Sequence, residues 1–288
     1  MAVFSNQATL TYNGTSTNSY IAFGDILDVL TVTKTPVEQT YSQGDTVTYT
    51  VALRNTGGTA LNGLTVTDDL GGYDFSGNTV YPLTYVEGSI LYYVDGVLQP
   101  APTVTAGPPL TITGINLPAN GDAVIVYQAI ANGFANPEIG GVVTNTVTVT
   151  GDGLSAPITA TATVDAETGA ELTISKSITP AQVVDNDRVT YTFVIENSGN
   201  QAVTTEDTAV VVDTFNPILT DLVVSFNGTP LAEGTDYTYD QATGLFQTLP
   251  GAISVPAASY TRDETTGEYI ATPGISTLTV TGTNKAVV

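Results

Sequence analysis

Apolar and polar residues alternate along most of this chain with a period of two. Val47, Tyr49, Val51 and Leu53 share one parity, as do Val189, Tyr191, Phe193 and Ile195. That period, carried by Val, Ile, Thr and Tyr and broken by Gly, Asn and Pro, predicts half-buried β-strands joined by turns. Asn13-Gly14, Asp95-Gly96 and Asn227-Gly228 predict tight hairpins, because both residues of such a turn need positive φ. No segment carries an apolar stripe at helical spacing. The chain reads as all-β.

The pattern also repeats. LTVTKTP (Leu30–Pro36) returns as LTISKSITP (Leu172–Pro180), and DTVTYTVALRNTGGTAL (Asp45–Leu61) as DRVTYTFVIENSGNQAV (Asp187–Val203). LTVTDDL (Leu64–Leu70) matches AVVVDTF (Ala209–Phe215), setting Asp68 against Asp213. GINLPA (Gly114–Ala119) matches AISVPA (Ala252–Ala257), and Ala123–Ala129 corresponds to Thr277–Gly282 after an insertion around Tyr260–Pro273. Two tandem β-sandwiches are expected, over 29–151 and 171–288, joined by a linker at 152–170. One strand of the first repeat, VVTNTVTVTGDG (Val142–Gly153), has no counterpart before Val288. Its near-copy stands instead at the other end, as VFSNQATLTYNG (Val3–Gly14). Residues 1–28 are therefore expected to be a strand and linker lent to another domain.

Composition narrows the partners. With 28 acidic and 6 basic residues the formal charge is −22, which repels nucleic acid and anionic membrane surfaces. No apolar run reaches membrane-spanning length. The start, MAVFSNQ, has no signal-peptide pattern, so export by another route or loss of a leader is expected. Cysteine and histidine are both absent. Disulfides, the usual catalytic triads and ordinary zinc sites are excluded with them.

The motifs LTVTK, DTVTYTVALRNTG, LTVTDDL and TNTVTVTG, with LTISK, DRVTYTFVIENSGN and VVVDTF in the second repeat, resemble bacterial surface-protein repeats of the family called domain of unknown function 11. The resemblance implies immunoglobulin-like sandwiches in extracellular stalks, adhesins or appendages; the leaderless start adds release from a sporulating mother cell, and so a spore surface, beside the cell surface as an expected place. It also implies self-forming Lys–Asn isopeptide bonds, which related surface sandwiches often carry.

A sandwich without its last strand exposes core and an edge of unpaired backbone groups. A strand from another copy fills such an edge by β-augmentation, its alternate side chains entering the core. Phe4, Asn6, Ala8, Leu10 and Tyr12 share the required parity. A contact of this kind is head-to-tail and yields an open filament unless the rotation closes. The expected partner is therefore a second copy of the chain.

Lys34 and Lys176 occupy the same repeat position, and each shares a face with apolar neighbours. So do Asp68 and Asn145. If those faces form the core, Lys, Asp and Asn converge in an apolar interior, where burial lowers a Lys pKa and raises an Asp pKa. Neutral lysine is a nucleophile, and a protonated carboxyl can polarise the asparagine carbonyl. The expected links are Lys34–Asn145 within a chain, assisted by Asp68 with Asp69 as fallback. Between chains, Lys176 joins Asn6 of the next copy, assisted by Asp213. The bland alternative is a buried Lys–Asp ion pair beside a hydrogen-bonded asparagine.

Other candidates are weaker. Asp185-Asn186-Asp187 and Asp263-Glu264 suit solvated turns better than calcium loops. Tyr85, Tyr92 and Tyr93 suit strand packing better than an adhesive surface. No cofactor or metal is expected, and no enzymatic activity beyond autocatalytic bond formation. Two functions remain: a filament subunit, or a monomeric adhesin or stalk module that binds a ligand or spaces a binding domain.

Overall fold

The computed structural model describes residues 2–26, 29–184 and 186–284. It is all-β; the described residues hold no α-helix and one short 3₁₀ turn at Thr205–Asp207. The chain divides into two compact units, residues 1–136 with 140–166, and residues 137–139 with 167–288.

In the first unit two sheets enclose one core. One sheet runs Val97–Leu98, Leu91–Val94, Asp122–Ala131, Thr46–Asn55, Leu30–Pro36. The other runs Thr103–Thr105, Leu110–Leu117, Leu61–Asp68, Val142–Thr150, Ile158–Ala166, Thr40–Tyr41. The predicted parity holds: Val47, Tyr49, Val51 and Leu53 are buried against Leu64, Val66, Val147 and Val149. Each such apolar side chain, once buried, contributes on the order of 1.5–3 kcal/mol.

The segment 152–170, expected as a linker, is corrected by this topology. Ile158–Ala166 is a full strand, antiparallel to Val142–Thr150, and buries Ala162, Val164 and Ala166. Its alternate apolar positions are mostly alanine, too small to stand out from the threonines between them.

The second unit is built on the same plan, with fewer strands. One sheet runs Leu172–Thr179, Arg188–Asn197, Gly274–Asn284, Leu219–Phe226, Thr229–Pro230. The opposite one has Val212–Thr214, Leu245–Thr248 and Tyr237–Asp240. The insertion forms its own hairpin, Ser259–Arg262 with Tyr269–Thr272. Asn55 and Asn197, both fully buried, show how closely the plans agree. The Asn55 amide donates to the carbonyls of Thr59 and Pro118, and that of Asn197 to those of Gln201 and Pro256.

The units also differ beside the acidic strand. The Asp68 strand (Leu61–Asp68) is bonded on both sides, by Leu110–Leu117 and Val142–Thr150. The equivalent Asp213 strand (Val212–Thr214) pairs only with Leu245–Thr248 among the described residues. The expectation of one absent strand is also corrected: among the described residues of the second unit neither Val142–Thr150 nor Ile158–Ala166 has a counterpart.

The N-terminal arm is not a single strand with a linker. Ala2–Asn6 pairs with Ala22–Ile26, and Thr9–Tyr12 with Thr15–Asn18, across the turn at Asn13-Gly14. Both turn residues have positive φ, 48° and 77°, as the sequence predicts. Asp95-Gly96 and Asn227-Gly228 form the other two predicted hairpins.

Candidate covalent cross-link site

Lys34 lies in the strand Leu30–Pro36 at one margin of its sheet, and Asp68 and Asn145 lie on neighbouring strands of the opposite sheet. Alternation turns all three inward, and all three are buried, Lys34 being 4% exposed and the other two 0%. Lys34 Nζ donates to Asp68 Oδ2 at 2.6 Å. The Asp68 second oxygen, Oδ1, accepts from the Leu70 backbone amide at 2.9 Å.

Two tyrosines complete the group, and the sequence reading missed both. The Tyr127 hydroxyl donates to Asp68 Oδ2 and accepts from Asn145 Nδ2 at 3.1 Å. It therefore bridges the carboxylate and the amide. Tyr49 stacks on Tyr127 with ring centroids 5.5 Å apart, and Lys34 Nζ sits 4.8 Å from the Tyr49 centroid. Their only sequence signal is the inward parity of each; that Tyr127 stands opposite Tyr49 comes from the strand pairing.

Burial sets the electrostatics. It lowers the Lys34 pKa, partly offset by the adjacent Asp68 charge. Burial also raises both phenols, and the Asp68 charge adds to this. The Asn145 amide lies near enough to the Tyr49 phenol to oppose that rise, yet the two fall outside hydrogen-bond geometry. Tyr49 Oη and Asn145 Oδ1 are thus buried with no partner. An unpaired buried polar group costs about 1–3 kcal/mol. Here one is a donor and the other an acceptor.

Asp69, the fallback acid, faces away from the pocket and accepts from the backbone amides of Gly71 and Thr146.

In the second unit Lys176 Nζ pairs with Asp213 Oδ2. Rings of Tyr191, Phe215 and Phe193 lie 4.6, 5.3 and 5.5 Å from the ammonium. This pair is open: the Lys176 side chain is 39% exposed and that of Asp213 18%. Tyr191 stands where Tyr49 stands, but the ladder puts Val280 where the first unit has Tyr127. Asn6, the expected amide, lies on the exposed arm with Phe4, Ala8, Leu10 and Tyr12.

No protein-family model matches the chain, and neither does any curated protein sequence. Among solved structures it is similar to BcpA, the major pilin subunit of Bacillus cereus, at 11% identity and a TM-score of 0.37, over 95% of this chain and 73% of that one. The pilus backbone RrgB from Streptococcus pneumoniae matches at 11% identity and a TM-score of 0.32, over 85% of this chain. A family 123 glycoside hydrolase from Clostridium perfringens matches at 13% identity and the same TM-score, over 48% of this chain. The chain spans about half of RrgB (55%) and about a quarter of the hydrolase (27%). Likeness this loose does not select a function.

The remaining candidates behave as turns and packing. The Asp263 carboxylate accepts from the Thr265 and Thr266 amides. Asp185 lies outside the described residues. Tyr85 and Tyr92 are buried, and the Tyr92 hydroxyl bonds the Asn116 backbone.

Proposed function

We propose that the chain is a structural subunit of a bacterial surface or spore filament, kin to the domain of unknown function 11 repeats. It assembles head-to-tail by strand donation and is locked by Lys–Asn isopeptide bonds. One observation carries the reading. Among the described residues the Asp213 strand leaves one edge open, beside a partly exposed Lys–Asp pair that matches the buried Lys34–Asp68 pair but has neither an asparagine nor a counterpart of Tyr127.

The chemistry needs nothing from outside. Within the ion pair, Lys34 passes a proton to Asp68, which low-polarity surroundings favour. Neutral Nζ then attacks Asn145 Cγ, and the carboxamide C–N bond breaks. Nζ gives up a second proton, the leaving nitrogen gains one, and ammonia departs. The unpaired Tyr49 hydroxyl is the donor available to Oδ1 as negative charge develops there. The product is a neutral amide, so the buried charges disappear. Between copies Lys176, Asp213 and Asn6 play the same parts, with Tyr191 in the place of Tyr49.

Intact-mass spectrometry of boiled, detergent-treated protein tests this. The expected ladder has multiples of the subunit mass, each lowered by one ammonia per bond. Asn6→Ala and Lys176→Ala should each collapse it to monomers still short of one ammonia, the internal Lys34–Asn145 loss. A wild-type monomer at full mass would sink both bonds.

A further inference from the structure

The first unit shows what an occupant of the open edge must look like, because there the place is filled by the chain itself. The filling is two strands, not one. Val142–Thr150 pairs with the Asp68 strand, and Ile158–Ala166 pairs with Val142–Thr150 and packs across to the Lys34 strand. Under that cover Leu30 is 3% exposed and Lys34 4%. Among the described residues of the second unit no strand supplies that cover, and every residue of Leu172–Thr179 is exposed, with Leu172 at 44%, Ile174 at 56% and Ile178 at 39%. A single donated strand would complete the ladder at Asp213 but leave this apolar row in water.

The arm already has the required form. Asn145 pairs with Ala162 in the first unit, and Asn6 pairs with Ala22 in the arm. Val143 pairs with Val164, and correspondingly Phe4 with Gly24. The last pair trades two medium side chains for a large and an absent one. The Phe4 ring lies where a Gly24 Cβ would be, 2.3 Å from that position, so the pair fills one layer between them. In the first unit Ala162 and Val164 are buried while Thr163 is exposed, and the pairing sets Ala22 and Gly24 in the places of the first two and Phe23 in that of Thr163.

We infer that the donated element is the whole N-terminal hairpin, Ala2–Ile26, entering the neighbour's second unit as a preformed pair. Its first strand lies beside Asp213 and its second covers the Lys176 strand. Ala8 then stands opposite Asp213 and Leu10 opposite Val211, as Val147 and Val149 stand opposite Asp68 and Val66. The inference rests on the head-to-tail reading above and adds the second strand to it.

Two substitutions of one residue type, on adjacent positions of that second strand, decide it. Ala22→Asp sets a carboxylate on the inner face, and Phe23→Asp sets one on the outer. Both sites are exposed in the free arm, so neither substitution disturbs the subunit's own core. The expected result is loss of nearly all multimers with Ala22→Asp and a full ladder with Phe23→Asp. Equal ladders from both would overturn the two-strand donor and leave single-strand donation standing. As a second measurement, Ile174→Cys introduces the chain's only thiol. Its alkylation should slow at least tenfold between subunit and filament, while Val223→Cys, 58% exposed on another strand, stays fast. Undiminished labelling of Ile174→Cys in filaments would also overturn it. Absence of any ladder from wild-type protein would instead sink the head-to-tail reading.

Discussion

At the scale of residues, the chain holds an ion pair where water cannot reach it, and that has measurable costs. Asp68→Ala in the unreactive Asn145→Ala background leaves the Lys34 ammonium without its partner. The expected loss is about 3–5 kcal/mol in urea denaturation. Adding Lys34→Met should recover most of it, because a buried charge without a partner costs more than no charge at all. The pH dependence has a definite sign. The folded Lys34 pKa lies below its ordinary 10.5, so between the two values the unfolded chain binds the extra proton and stability rises with pH. Asn145→Ala protein should therefore gain stability as pH rises toward 10.5, relative to Asn145→Ala/Lys34→Met. Taking that difference removes the tyrosines, whose raised pKa values act in the opposite direction above pH 10. A flat or falling difference would place the lysine in a wetter site than the structure shows.

At the scale of elements, the repeats and the period-two alternation made the two sandwiches legible, because each strand fills its core with every second residue. The same parity brought Lys34, Asp68 and Asn145 to one interior, which the structure then shows as an ion pair with the asparagine held one hydroxyl away. Tyr127 was not legible. An inward tyrosine looks like any other core aromatic until the strand opposite it is known, and its partner came from a sheet pairing between residues far apart in sequence. The strand Ile158–Ala166 was hidden for a different reason. Its inner positions are largely alanine, which gives alternation without hydrophobic contrast. That one omission made the arm look like a strand with a tether, although Ala22–Ile26 pairs with Ala2–Asn6 as the hidden strand pairs with Val142–Thr150.

At the scale of the molecule, the charge of −22 acts against assembly. Copies that join head-to-tail must approach through mutual repulsion, which salt shortens in range. Raising ionic strength from about 0.01 M to about 0.15 M cuts the screening length from about 30 Å to about 8 Å. Polymerisation followed by light scattering should accelerate several-fold over that range; a slower rate in salt would mean that attraction between charges drives the encounter. The placing of Lys34 has a different kind of consequence. It sits on the strand by which the chain enters the first sandwich, and Asn145 sits on the next-to-last strand before the chain leaves. A covalent bond between them is a short circuit for tension. Force drawn along a filament would pass from Lys34 to Asn145 directly, and the strands between would carry none of it. Stretching would be confined to the segments outside that loop, and the sandwich would resist pulling even under conditions that melt its hydrogen bonds.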